Sequence, residues 1–318
     1  ANQALLRDDS EQANRLFQKA LAEISDIEKN KNALADELLT LQGALESKLR
    51  PLNNIVEVQD PAIAFEIPKD QGEFTAKTLM LFEGKLYTFD SASLNYYTYD
   101  ISQNVKTIAQ IPQEISQTSS IDDTLIAFKE PLSFLSRDKS QQWQVGSLLL
   151  LDPNVVLKGM AGFGNNVYFY DSVQGRIIKY ATPLSSLSTP ISWVSPSSDR
   201  RPEGAVAMAI DGNIWIMTEE REFQRYFTGL YKETLKPIVY PTLETVSIFK
   251  TGANLPHLYL LDPEGKRVVL RTKDGEIVKQ YHFPNAVSLL DLSISEDGSI
   301  IYVLDEYRVY RVPNNIES

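Results

Sequence analysis

Cysteine and histidine carry much of the nucleophilic and metal chemistry of proteins, and this chain nearly lacks both. Its 318 residues contain no cysteine and two histidines, His257 and His282. That excludes disulfides, thiolate metal sites and a cysteine nucleophile, and two imidazoles cannot build a histidine-rich metal centre. No G-x-S-x-G elbow, G-x-x-x-x-G-K-[ST] loop, H-E-x-x-H pair or EF-hand loop occurs in the sequence. A catalytic triad would have to use one of the two histidines. His257 opens an alternating apolar segment, which suits a structural place, whereas His282 lies in the connection KQYHFPNAV. The densest chemistry is in SPSSDRRPEG at 195–204. Arg200 and Arg201 form a guanidinium pair suited to carboxylate or phosphate recognition, with Glu203 and Trp193 beside them. Arg200, Arg201, Glu203, Trp193 and His282 are therefore the candidate ligand-binding residues, and no catalytic residue is assigned. Gly159, Gly162 and Gly164 resemble a phosphate cradle in spacing, but they precede a strand pattern instead of opening a helix. No cofactor is expected. A calcium or other divalent ion held by Asp, Glu and Asn from separate strands would leave no local spacing, so metal ligands are left unassigned.

The charge balance narrows the partners. Lys and Arg number 31 against 42 Asp and Glu, a net charge of −11. Such a balance argues against phosphate-backbone or anionic-membrane binding as the main activity; a protein or a small anionic ligand is the expected partner, not nucleic acid. No apolar run approaches the roughly 20 residues of a membrane span.

These candidates must be held by two different kinds of element. Residues 1–50 have one glycine and no proline, and Leu16, Phe17, Ala20, Leu21 and Ile24 recur at helical spacing, as do Leu34, Leu38, Leu41, Leu45 and Leu49. The spacing predicts an amphipathic hairpin with helices near 10–28 and 32–49, capped by Ser10 and ended by Pro51. Residues 51–318 instead show short alternating runs separated by turn residues, a β pattern. Within them KLYTFDS (85–91), NVYFYDS (166–172), NIWIMTE (213–219), HLYLLDP (257–263) and IIYVLDE (300–306) align without gaps. The aromatic slot holds Tyr87, Tyr168, Trp215, Tyr259 and Tyr302. The last three intervals are 47, 44 and 43 residues, and the first is 81. A degenerate copy, PLSFLSRD at 131–138 with Ser133 in the slot, is placed in that gap, and SLLLLDP at 147–153 is read as an outer strand of the second unit. Six units of this period predict a mainly β fold, a six-bladed β-propeller behind an N-terminal α-helical hairpin. The repeated Asp90, Asp171, Asp262 and Asp305, replaced by Thr218 in one copy, are read as turn residues. The last unit stops short of a fourth strand, so 55–67 is expected to pair with it and close the ring.

PEGAVAMAIDGNIWI (202–216) and AVSLLDLSISEDGSIIYVLD (286–305) resemble NHL and related six-bladed bacterial propeller repeats, and DSEQANRLFQKALAEI (9–24) is similar to TPR hairpins. Helices followed directly by such a propeller look like extracytoplasmic regions of membrane-anchored bacterial proteins linked to metal-dependent phosphatase-like domains. The resemblance implies a non-enzymatic binding or scaffold propeller displayed outside the cytoplasm, anchored through a segment upstream of Ala1. The alternative it implies is a metal-dependent, lactonase-like hydrolase with its site in the central channel.

Overall fold

The computed structural model describes residues 2–5, 9–30, 35–67, 75–90, 94–121, 124–129, 133–137, 142–149, 153–181, 189–236, 239–246 and 248–316. The chain opens with α1 (Asn2–Leu5), α2 (Ser10–Asn30) and α3 (Ala35–Leu52). Ala13, Phe17 and Leu49 form the buried seam of the hairpin, which reaches Tyr240 of the β region. Two details differ from the sequence reading. Asp9 caps α2, accepting the Gln12 N–H at 3.0 Å, because its carboxylate sits one residue ahead of Ser10, in reach of the first-turn amides. Pro51 does not stop α3, since a proline in the last turn removes only one intrahelical bond. Asn53 ends the helix instead: its N–H and its Nδ2 both donate to Leu49 O, at 3.0 and 2.9 Å. The break between the helices, at 31–34, lies outside the described residues.

Two short strands follow, β1 (Ile55–Glu57) and β2 (Ala62–Glu66). Blade one is β3 (Ala76–Phe82), β4 (Lys85–Asp90), β5 (Asn95–Asp100) and β6 (Val105–Gln110). Blade two is β7 (Gln117–Ile121), β8 (Thr124–Lys129), β9 (Ser133–Arg137) and β10 (Trp143–Ser147). Blade three is β11 (Leu157–Phe163), β12 (Asn166–Asp171), β13 (Arg176–Ala181) and β14 (Ile191–Ser192). Blade four is β15 (Ala205–Ile210), β16 (Ile214–Thr218), β17 (Phe223–Phe227) and β18 (Leu230–Leu235). Blade five is β19 (Ile248–Lys250), β20 (His257–Asp262), β21 (Arg267–Thr272) and β22 (Ile277–His282). Blade six is β23 (Leu289–Ile294), β24 (Ile300–Asp305) and β25 (Arg308–Pro313), completed by β2 as its outermost strand. The six sheets make a six-bladed propeller with the helical pair at its N-terminus.

Residues 55–67 do not all go to one blade. β2 pairs antiparallel with β25, while β1 adds a fifth, parallel strand to blade five, with Ile55 opposite Gln280 and Glu57 opposite His282. Both additions cover a sheet edge that would otherwise present open hydrogen-bonding groups.

The structure corrects the second blade. Its second strand, the one that carries the repeat, is β8, so the slot residue is Ile126 and not Ser133, which opens the third strand. The outer strand is Trp143–Ser147, just ahead of SLLLLDP; Leu148 and Leu149 form no strand and 150–152 lie outside the described residues. The packing shows why the slot exists. Tyr87, Ile126, Tyr168, Trp215, Tyr259 and Tyr302 each belong to a different buried cluster, and each cluster fills one gap between successive blades. All are 7% exposed or less, and burying each such side chain is worth about 1.5–3 kcal/mol. The slot is a wedge between blades, and in blade two an isoleucine fills it.

The repeated aspartates are buried turn anchors. Asp171 Oδ1 accepts from the N–H groups of Val173 and Val156, at 3.1 and 3.3 Å, tying the turn to the segment entering the blade. Asp305 does the same with Glu306 and Ser288, at 2.8 and 2.9 Å. Where Thr218 replaces aspartate, its hydroxyl accepts the Glu222 N–H, at 3.3 Å.

Candidate functional site

The innermost strands β3, β7, β11, β15, β19 and β23 enclose a central channel of about 580 Å³. Their outer edges pair with the second strand of each sheet, and their free inner edges are bridged by side chains. From β7, Gln117 Oε1 accepts the Met160 N–H at 2.6 Å, and Ser119 Oγ accepts the Gly162 N–H at 2.8 Å. Blade six repeats the device against blade one. Asp291 Oδ2 accepts from Leu79 at 2.7 Å, and Ser293 Oγ from Leu81 at 2.9 Å. Gly162 is required for the close approach, because a Cβ there would stand 2.3 Å from Ser120 O. The glycine cluster is thus blade-packing geometry, with Gly159 at a register shift of β11 and Gly164 in the turn to β12, both at positive φ.

The channel's charge opposes that of the whole protein. Its described lining carries Lys77, Lys158 and Lys250 against one carboxylate, Asp291. The lysines stand on blades one, three and five, every other blade around the ring. Asp291 is buried and already occupied: it accepts from Leu79 and Leu292 and has Lys250 Nζ at 3.7 Å. Burial pushes its carboxyl above the usual range, and Lys250 and the two amides offset that only in part. Neither Lys77 nor Lys158 has a carboxylate partner among the described residues. The wall is also divided. Blades six, one and two bring Asp291, Ser293, Thr78, Gln117 and Ser119, whereas blades three and four bring Ala161, Ala207, Ala209 and other apolar groups. Among the described residues no three His, Cys, Asp or Glu side chains stand close enough to share a metal ion. A donor set of lysines, hydroxyls and one saturated carboxylate does not suit a calcium-like ion, which takes six to eight oxygens.

None of the five candidate ligand-binding residues, Arg200, Arg201, Glu203, Trp193 and His282, lines this channel. Segment 195–200 climbs the rim of blade four: Ser195 N–H donates to Gly229 O at 2.8 Å, and Ser198 Oγ accepts from Tyr231 at 3.0 Å. Arg200 consequently lies over the Tyr231 ring, 5.9 Å from its centroid, and donates to Thr234 Oγ1 at 3.2 Å. Arg201 and Glu203 are exposed beyond it, and the Trp193 indole meets Tyr168 edge-on. These stitches to the outer strand keep the loop from reaching the channel mouth that its length suggested. His282 is elsewhere, at the outer edge of blade five, with Nδ1 2.8 Å from Glu57 Oε2. The structure therefore gathers four of the five on one rim and separates the fifth.

His282 does line a second cavity of about 320 Å³ between α3 and blade five, with Arg50, Glu57, Tyr240, Arg267 and Gln280. Burial raises the Glu57 carboxyl, but its bonds to Arg50 and His282 outweigh that and hold it below the usual range. The channel residues escaped the sequence reading because they are spread over six strands. Their local traces are the polar pairs Gln117/Ser119 and Asp291/Ser293, at alternate positions of strands that precede the repeated one.

No protein-family model matches the chain, and no curated protein matches it in sequence. Its fold is shared with solved propellers. Virginiamycin B lyase from Staphylococcus aureus is 13% identical with a TM-score of 0.51, over 80% of this chain and 89% of that one. Regucalcin from Agrobacterium tumefaciens, a calcium-binding protein, is 12% identical with a TM-score of 0.55, over 83% and 98%. A luciferin-regenerating enzyme is 11% identical with a TM-score of 0.56, over 80% and 96%. Enzymes and binding proteins both appear, so this likeness fixes the fold alone.

Proposed function

We propose that this chain is a non-enzymatic binding propeller, the extracytoplasmic ligand-binding region of a larger bacterial protein, with its site in the central channel. The observation that supports this reading most is the channel's side-chain chemistry. It combines an open concave volume of about 580 Å³, of the size that small-ligand sites have, with groups that bind rather than react. Among the described residues, the ammonium groups of Lys77 and Lys158 have no carboxylate partner, and the one carboxylate of the lining, Asp291, is saturated. Among the described residues no helix is long and apolar enough to cross a membrane, so display at a surface would depend on another segment. Finding a hydrophobic span of about 20 residues upstream of Ala1 in the full reading frame would support that part of the proposal, and a reading frame without one would contradict it.

The test is thermal stabilisation of the chain by a small-molecule library, which reports binding to the folded state. Val206 lines the channel and is 47% exposed, so Val206→Trp narrows the mouth without disturbing the core. Compounds that stabilise the wild type and fail to stabilise Val206→Trp support the reading. Compounds that stabilise both equally, or turnover of gluconolactone by the protein with added calcium or zinc, contradict it.

A further inference from the structure

The interblade bonds leave a directional residue in the channel. A serine hydroxyl has one proton to donate and lone pairs to accept with; a glutamine has an accepting oxygen and a donating NH₂. At Ser119, Ser293 and Gln117 the accepting atom is engaged by a backbone N–H of the next blade, at 2.8, 2.9 and 2.6 Å. Those contacts turn the remaining protons away from the blade seam. With one acceptor site already used on each, these three groups are biased toward donating, beside the ammonium groups of Lys77, Lys158 and Lys250. The one side chain of opposite character, Asp291, is filled by two amides and faces Lys250. A ligand matching these side chains must bring acceptors and negative charge. Across the channel, Ala161, Ala207 and Ala209 offer small apolar surface and no such group.

Resting on the channel reading above, we infer that the ligand is a small amphipathic organic anion. Its carboxylate or phosphate end meets Lys77 and Lys158 with the donors of Gln117, Ser119 and Ser293, and its apolar body lies on the alanine wall of blades three and four. The carboxylate and phosphate forms share this chemistry. The protein itself favours such selection, because a net charge of −11 repels anions elsewhere on the surface and leaves the channel as the attractive place.

The experiment titrates the full chain with phenylpropionate, phenyl phosphate and the uncharged phenylpropanol, followed by calorimetry. One anion should bind saturably, and phenylpropanol roughly tenfold or more weaker, as expected when charge-assisted hydrogen bonds are lost. Which anion binds tighter tells whether the head group is carboxylate or phosphate. Lys77→Gln with Lys158→Gln should weaken the anion by a similar factor, and raised salt should weaken it further. The inference is overturned if neither anion binds, if phenylpropanol binds as well as the anions, or if the double variant binds unchanged. Val206→Trp separates the two levels. Loss of phenylpropanol binding in that variant keeps the channel as the site while refuting the anionic class; binding untouched by it removes the channel reading itself.

Discussion

The channel and the joint between the helical hairpin and blade five are both rich in charged and polar side chains, yet they are wired oppositely. At the joint the buried polar side chains are bonded to one another and to the backbone. Arg267 is 3% exposed and donates to Asp262 at 2.9 Å, Gln280 at 2.9 Å, Pro241 O at 2.7 Å and Thr242 O at 2.9 Å. Gln280 passes the network on to Asn53 O and Tyr240 O, at 3.0 and 2.9 Å. Asn53, fully buried, accepts from Asn14 of α2 and from the Tyr240 N–H, both at 3.0 Å. The chain of bonds runs unbroken from the Asp262 turn to the first long helix. In the channel, by contrast, acceptors are spent at the blade seams while, among the described residues, donors and two lysines are left over. Saturated polar groups hold parts together; leftover ones are available to something else. The contrast favours the channel over the charge-lined cleft at the joint as the place for a ligand's acceptors.

The comparison predicts stability effects that fall in a fixed order. Arg267→Met should be the most damaging, because it leaves Asp262 as a buried uncompensated carboxylate; about 3–5 kcal/mol of unfolding free energy should vanish in a denaturant titration. A loss under 1 kcal/mol, by the same scale, would break the claim that the joint is saturated. Asn53→Ala should cost about 1–3 kcal/mol by stranding the Tyr240 amide and the Asn14 side chain, and limited proteolysis should then cut first within the hairpin. Equal cutting across the propeller would argue against a local clamp.

The acid response of the joint sharpens the same contrast. The folded carboxyl of Glu57 is held below its ordinary value, so it binds a proton less readily in the native state than in the unfolded chain. Its contribution is therefore present above the ordinary glutamate range and is lost as pH falls through the lowered folded value. The stability gap between wild type and Glu57→Gln should close on acidification, measured by thermal melts below about pH 4.5; a gap that widens there would reverse the assignment. Smallest of all, Lys77→Gln with Lys158→Gln should change stability by no more than about 0.5 kcal/mol, as for exposed groups outside any network. A larger loss would mean that these lysines are structural and that the two regions are not opposites.

The blade count was legible because the wedge between blades needs one large side chain per repeat, and the turn after it needs a hydrogen-bonding anchor. Blade two hides its register because it keeps neither signal in usual form: Ile126 fills the wedge and Lys129 stands where the aspartate belongs, which makes Ser133, one strand later, look like the slot. With Ile126 in place the first two intervals become 39 and 42 residues, close to the rest. The Arg200–Arg201 pair drew attention by density, but density along the chain does not say which edge of a blade a loop follows; Ser195 and Ser198 decide that through bonds to Gly229 and Tyr231. The channel was the least legible part. Its lysines are contributed one at a time by β3, β11 and β19, and only the ring brings them to one volume.

The central claim is that an organic anion binds in the channel with its charged end on Lys77 and Lys158. A crystal of the full chain grown with a bromo-substituted phenylpropionate and measured at the bromine absorption edge tests it directly. The account predicts one anomalous peak inside the channel against the alanine wall of blades three and four, with the carboxylate density turned toward the two lysines. A peak on the blade-four rim at Arg200, or in the cleft beside His282, with the channel empty, would contradict it.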